Sequence, residues 1–93
     1  MTDPRWRIEV VVMPKVGVSD PQGEAVRGGL AMLGHSGVAR VRVGRHLVLD
    51  LDAPSEGDAR AAVTRMAEQL LANPVIEQFE IGAVHRVETA GVA

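Results

Sequence analysis

His35, His46 and His85 are the side chains best suited to metal ligation or proton transfer near neutral pH, but their placement favours neither. None stands four residues from another, as a helical metal pair requires, and each falls near the end of an expected element. No cysteine is present to complete a metal site or to act as a thiolate nucleophile. Structural or solvent-facing roles are therefore expected for all three histidines. The carboxylates do no better: Glu56 and Asp58 belong to a helix start, and Asp50 and Asp52 alternate with leucines as a solvated face would. Lys15, Arg42 and Arg45 could form a small anion site, although charged side chains of this kind are ordinary surface unless a partner is implied.

The run Asp20-Pro21-Gln22-Gly23 is more distinctive. Asp20 suits a helix cap, because its carboxylate can accept a hydrogen bond from a backbone N–H two or three residues on. Pro21 suits the first helical position, where its missing donor costs nothing. Gln22 and Gly23 are not required by that chemistry. Gly costs roughly 0.5–1 kcal/mol relative to Ala within a helix, so something other than helix stability is expected to hold it.

The elements that must position these residues follow from periodicity. Arg7 to Met13 is a β-branched run with Ile8, Val10 and Val12 on one face, and it reads as a strand. Pro14 to Ser19 is a loop. A helix follows from Pro21 to about Leu33, with Val26, Leu30 and Leu33 at helical spacing and Gly34 and Gly37 ending it. The pair Gly28-Gly29 weakens this helix, and close packing against another backbone would explain it. Val38 to Gly44 alternates as a half-buried strand, and a tight Gly44-Arg45 turn would join it in a hairpin to His46–Asp52, where Leu47, Leu49 and Leu51 alternate. Ser55 with Asp58 opens a second helix that runs to about Ala72, striped by Ala59, Val63, Met66, Ala67 and Leu70 with Leu71 beside them. Pro74 forces its exit. Val75 to Val87 supplies the last strand, with Phe79 and Ile81 on one face and a bend or bulge at Gly82.

The order β-α-β-β-α-β is the split βαβ pattern of the α+β class, an antiparallel sheet with two helices on one face. The uncovered sheet face, with Arg7, Glu9, Val11, Arg40, Arg42 and Glu80, could pair with another subunit, so a dimerising domain is expected. With 93 residues the chain reads as a single domain over 1–93, with a core of about 7–87 and frayed tails. Such a domain buries only roughly 60–70% of its unfolded surface, and an oligomeric interface would help it. The composition is 46% hydrophobic but only 2% aromatic, so aliphatic residues must fill the core around Trp6 and Phe79. A formal charge of −2 gives no field to attract nucleic acid or an anionic membrane. Without an apolar run of the ~20 residues a span needs, a cytoplasmic protein is expected.

The same element order occurs in RNA-recognition domains, but the strands lack the aromatics on which bases stack. An acylphosphatase-like loop between the first strand and helix is matched only loosely by Val16-Gly17-Val18-Ser19, which is poor in glycine and lacks assignable Arg and Asn partners. A small-molecule-binding regulatory domain of ferredoxin-like type is the alternative in a different class.

Three segments together resemble the PurS family, the small subunit of phosphoribosylformylglycinamidine synthase. They are Met13 to Val26, Val41 to Arg45, and Leu70 to Glu77, in matching order and spacing within a similarity from about Arg7 to Ile81. The resemblance implies a role in purine biosynthesis, where formylglycinamide ribonucleotide, glutamine and ATP give the amidine ribonucleotide, glutamate, ADP and phosphate. It implies a subunit without a self-contained active site. Such a subunit bridges a glutaminase and an ATP-dependent synthetase as a homodimer or homotetramer and assists ammonia transfer. No cofactor is expected in this chain, with ATP and magnesium on the synthetase. By matching positions, Lys15, Asp20, Gln22, Gly23, Arg42, Gly44, Arg45 and Asn73 are expected to contact partners. Arg45 stands where the family usually has Lys, and Gly28-Gly29 makes the first helix richer in glycine than the family pattern.

Overall fold

Ile8, Val10 and Val12 alternate along the first segment, and the structure, a computed structural model describing residues 2–87, buries all three completely. They lie on β1 (Arg5–Pro14), which forms the middle of a three-stranded antiparallel sheet. Its neighbours are β2 (Arg45–Asp52) and β3 (Glu77–Val87), in the order β2-β1-β3. Helix α1 (Pro21–Met32) separates β1 from β2, and α2 (Glu56–Met66) separates β2 from β3. Residues beyond Val87, where a frayed tail is expected, lie outside the described residues.

The register sorts the side chains by face. Leu47, Leu49 and Leu51 of β2 pair with Val10, Ile8 and Trp6, and all three pack against the buried cluster, while Val48 is left exposed. On β3 the pairing moves from Val10 opposite Ile81 to Ile8 opposite Val84, which places one extra residue in that strand beside Gly82. This bulge keeps Ile81 and Val84 both packed against the core although they are three residues apart, and it falls where the sequence suggested. On the opposite face Arg5 pairs with Asp52 and Arg7 with Asp50, each at 2.8 Å, and His46 Nε2 lies 2.8 Å from Glu9 Oε1. The alternating aspartates thus answer arginines across the sheet. Exposed pairs of this kind contribute little individually.

Helix α2 begins as expected. Ser55 Oγ accepts from Asp58 N at 3.1 Å and donates to Asp58 Oδ2 at 3.0 Å. Its inward face is built from Ala59 and Val63, both fully buried, and small side chains let the helix sit close to the sheet. The final turn widens to a π-helix over Ala67–Leu71, where Ala72 N donates to Ala67 O across five residues. This extra residue changes the stripe: Leu71 and Ala72 join the core, whereas Leu70, expected within the stripe, is 82% exposed.

Two further expectations are corrected. Val38 to Gly44 is not a strand, and no hairpin forms at Gly44-Arg45. The segment instead crosses the base of α1, where Val41, Arg42 and Val43 are all half-buried regardless of the alternation, and Val43 N is taken by the Asp20 carboxylate instead of a neighbouring strand. Arg40 and Arg42 therefore do not lie on the sheet face. Nor do both helices cover the sheet: α2 supplies the helical layer of the core, and no residue of α1 belongs to that core. α1 is nevertheless well terminated, with Gly34 at φ +97 and bonds from His35 N to Leu30 O and Gly34 N to Ala31 O satisfying its last carbonyls. Its apolar side stays open, with Val26 45%, Leu33 76% and Met32 89% exposed. A Cβ at Gly28 or Gly29 would meet nothing within 4 Å, so no close packing among the described residues accounts for them.

Candidate functional site

All eight residues singled out in the sequence come to one end of the molecule. The register explains why: Pro14 at the end of β1 pairs with Glu77 at the start of β3, and Val12 pairs with Arg45 at the start of β2. The three motifs are thereby the loops that leave and enter the same sheet end.

The first group centres on Asp20. Its Oδ1 accepts from Gly23 N at 3.0 Å, capping α1, and its Oδ2 accepts from Val43 N at 2.9 Å. These two backbone donors, first Gly23 and then Val43, with the nearby Arg42 charge, hold the carboxyl below its ordinary pKa against the opposing effect of desolvation. Gly23 is the one buried residue of α1. A Cβ there would overlap the Val41 carbonyl oxygen and lie 2.7 Å from Asp20 Oδ2, so the absent side chain is what lets the Val41 segment pass. Gly44 does the same on the other side of that segment, where a Cβ would overlap the Val12 carbonyl oxygen and the Met13 sulfur. The Arg42 guanidinium donates to the Pro14 carbonyl.

The second group joins the third motif to the strand ends. Lys15 Nζ donates to Pro74 O at 2.6 Å and Lys15 N to Ile76 O at 2.9 Å. Asn73 Oδ1 accepts from Val75 N at 3.1 Å, which turns the chain after the π-helix, and Asn73 N donates to Glu77 Oε1 at 2.8 Å. Arg45 closes the arrangement with a two-pronged bond to Glu77, Nη1 to Oε2 at 2.8 Å and Nη2 to Oε1 at 3.1 Å, and Nη2 also donates to Leu71 O at 2.7 Å. Arg45 and Asn73 N together lower the Glu77 pKa, Arg45 contributing more. The planar fork makes use of geometry that a Lys could not supply. Glu77 is the member of this arrangement that sequence reasoning did not single out. It lay inside the third motif, but its partner lies across the sheet end and only the register brings them together.

Seven of the eight residues are thus engaged within the chain. Gln22 is the exception, exposed on the first turn of α1 and making no side-chain hydrogen bond among the described residues. Between the loop and the extended segment lies an open groove of about 380 Å³ lined by Lys15, Ser19, Asp20, Glu24, Arg40 and Arg42. Arg45 does not line this groove and is turned instead to Glu77 and Leu71 O, so Lys15, Arg42 and Arg45 do not converge into one anion site. Among the described residues no group of three or more His, Asp or Glu side chains comes together to hold a metal, and no helix is long and apolar enough to cross a membrane.

These features define a small α+β domain whose distinctive residues frame one end of a sheet and leave a helix uncovered. Residues 7–85 match the family model PurS, described as phosphoribosylformylglycinamidine (FGAM) synthase, and the chain belongs to that family. It is 46% identical over 85 residues to the PurS subunit of phosphoribosylformylglycinamidine synthase from Synechocystis sp., covering 89% of this chain and 83% of that one. Among solved structures it is similar to Thermus thermophilus PurS, with a TM-score of 0.82 and 36% identity, covering 91% of this chain and all of the other. It also matches a chain of the PurLQS structure from Thermotoga maritima, with a TM-score of 0.77 and 28% identity over 90% of this chain and 99% of that one.

Proposed function

We propose that this chain is the assembly subunit of a phosphoribosylformylglycinamidine synthase in purine biosynthesis, bridging a glutaminase and an ATP-dependent synthetase and assisting ammonia transfer between them. The observation that carries this reading is the match, over nine-tenths of the chain, to a component of the multi-subunit PurLQS structure. The catalytic groups belong to the partners, with ATP and magnesium on the synthetase. The complex works in the cytoplasm. Six motif residues bonded within the chain and Gly44 packed against β1 build the frame from which contacts are presented, and Gln22 projects from it as a direct contact.

The chain self-associates, as a dimer or a tetramer. A radius of gyration of 17.5 Å exceeds the about 12 Å of a compact chain of this length, and α1 leaves Val26, Met32 and Leu33 uncovered. α1 carries only Glu24 and Arg27 as charged groups, and they pair with each other at 3.1 Å, so two copies can approach along it without like-charge repulsion. A regulatory metabolite site in the groove is less well supported, because the cations lining it are partly spent on carbonyls.

Sedimentation of the chain alone and mixed with the two partner subunits tests this. A homo-oligomer that enters a larger three-component complex is the expected result. A chain that keeps its own mass in the mixture would rule the reading out.

A further inference from the structure

We infer that Asp20 is a positioning residue for self-association, and that it acts through the carboxylate oxygen bonded to Val43 rather than through the oxygen that caps α1. The inference rests on the homo-oligomer reading above and names the contact that aims the helix at a second copy.

α1 has no footing in the core of its own chain, since none of its residues joins the buried cluster. Its direction must be set where it is attached. At its base, Asp20 Oδ1 serves the helix itself by accepting from Gly23 N, whereas Oδ2 reaches a different part of the chain at Val43 N. Val43 is joined to Gly44, which lies directly against the Val12 carbonyl on the central strand. Beside it, Arg42 bonds the carbonyl of Pro14 at the end of that strand. A continuous path therefore runs from the first turn of α1 through one carboxylate to the end of the central strand. Twelve residues of helix are about 18 Å long, so a change of about 10° at the base moves the far end by about 3 Å. A displacement of that size takes Met32 and Leu33 out of register with any close-packed neighbour.

The two oxygens can be separated experimentally. Asp20→Ser keeps a good helix cap, but its shorter arm cannot also reach Val43; Asp20→Ala removes both contacts. For Asp20→Ser we expect wild-type helix content by circular dichroism, amide exchange at Val43 faster by roughly tenfold, and self-association in sedimentation equilibrium weaker by roughly tenfold. Asp20→Ala should lose helix content as well. Wild-type self-association by a folded Asp20→Ser protein would overturn the inference while leaving the assembly function standing, as would an unprotected Val43 amide in the wild-type oligomer. A monomeric wild-type chain would remove the homo-oligomer reading itself. Equal loss of helix content in both variants would assign Asp20 to capping alone.

Discussion

Replacing Gly23 by Ala should destabilise this protein, although helix propensity alone predicts the reverse. In an exposed helix interior the exchange stabilises by about 0.8–1.0 kcal/mol. At Gly23, however, the new methyl would overlap the Val41 carbonyl oxygen and stand 2.7 Å from Asp20 Oδ2. Neither neighbour is the free end of a flexible side chain. To reach an ordinary carbon to oxygen separation of about 3.3 Å, the Val41 backbone must retreat by roughly 1 Å, which strains the adjacent Val43 bond. Overpacking of this kind costs about 1–3 kcal/mol, more than the propensity gain at its upper range. Gly57, in the first turn of α2, supplies the control, because a Cβ there meets only Ser55 Oγ at 3.8 Å. Thermal unfolding followed by circular dichroism, at matched protein concentration because oligomerisation shifts the midpoint, should show Gly57→Ala raised by a few degrees and Gly23→Ala lowered. Equal stabilisation by the two substitutions would refute the close approach of the Val41 segment.

Arg45→Lys should lower the melting temperature by a few degrees, since a single ammonium cannot reproduce the paired bonds to Glu77 together with the bond to Leu71 O; Arg45→Gln should lower it further. Gln22→Ala should leave thermal stability nearly unchanged while weakening capture of the chain by its partner subunits in a pull-down titration; an equal loss of fold would contradict its contact role. The pKa values of Asp20, Asp50, Asp52 and Glu77 are all depressed in the folded state. Their contribution to stability is therefore complete above the unfolded carboxylate range near about pH 4 and is lost as pH falls through the lower folded values. Melting temperature should change little through these groups between about pH 7 and 5 and decline below about pH 4, with a shallower decline in Glu77→Gln.

What could be read from the chain alone depended on whether a pattern had one physical cause. Ile8, Val10 and Val12 alternate because one face of a central strand is buried, and Ser55 with Asp58 opens a helix because the bonding is local. Val38 to Gly44 alternates just as cleanly in sequence without being a strand, because the Asp20 carboxylate takes the Val43 N–H and Val41, Arg42 and Val43 are half-buried alike. A regular helical period puts Leu70 in the core, and the π turn over Ala67–Leu71 breaks that period. The site divides in the same way. Motif resemblance brought the eight residues into view, and the cap made by Asp20 was legible from local chemistry. The second bond of Asp20, the fit of Gly44 against β1 and the pairing of Arg45 with Glu77 depend on strand register and long-range contact, which no local spacing encodes. The open side of α1 was hidden for another reason: its Val26, Leu30 and Leu33 stripe signals burial but does not say in which chain the covering surface lies.

The central claim is that this chain joins two catalytic subunits without supplying catalytic groups itself. The most direct measurement is glutamine-dependent formation of formylglycinamidine ribonucleotide by the purified glutaminase and synthetase, with and without this chain at matched concentrations. Omission should abolish or sharply reduce product formation, and adding the chain back should restore it. Full activity of the two partners in its absence would contradict the account.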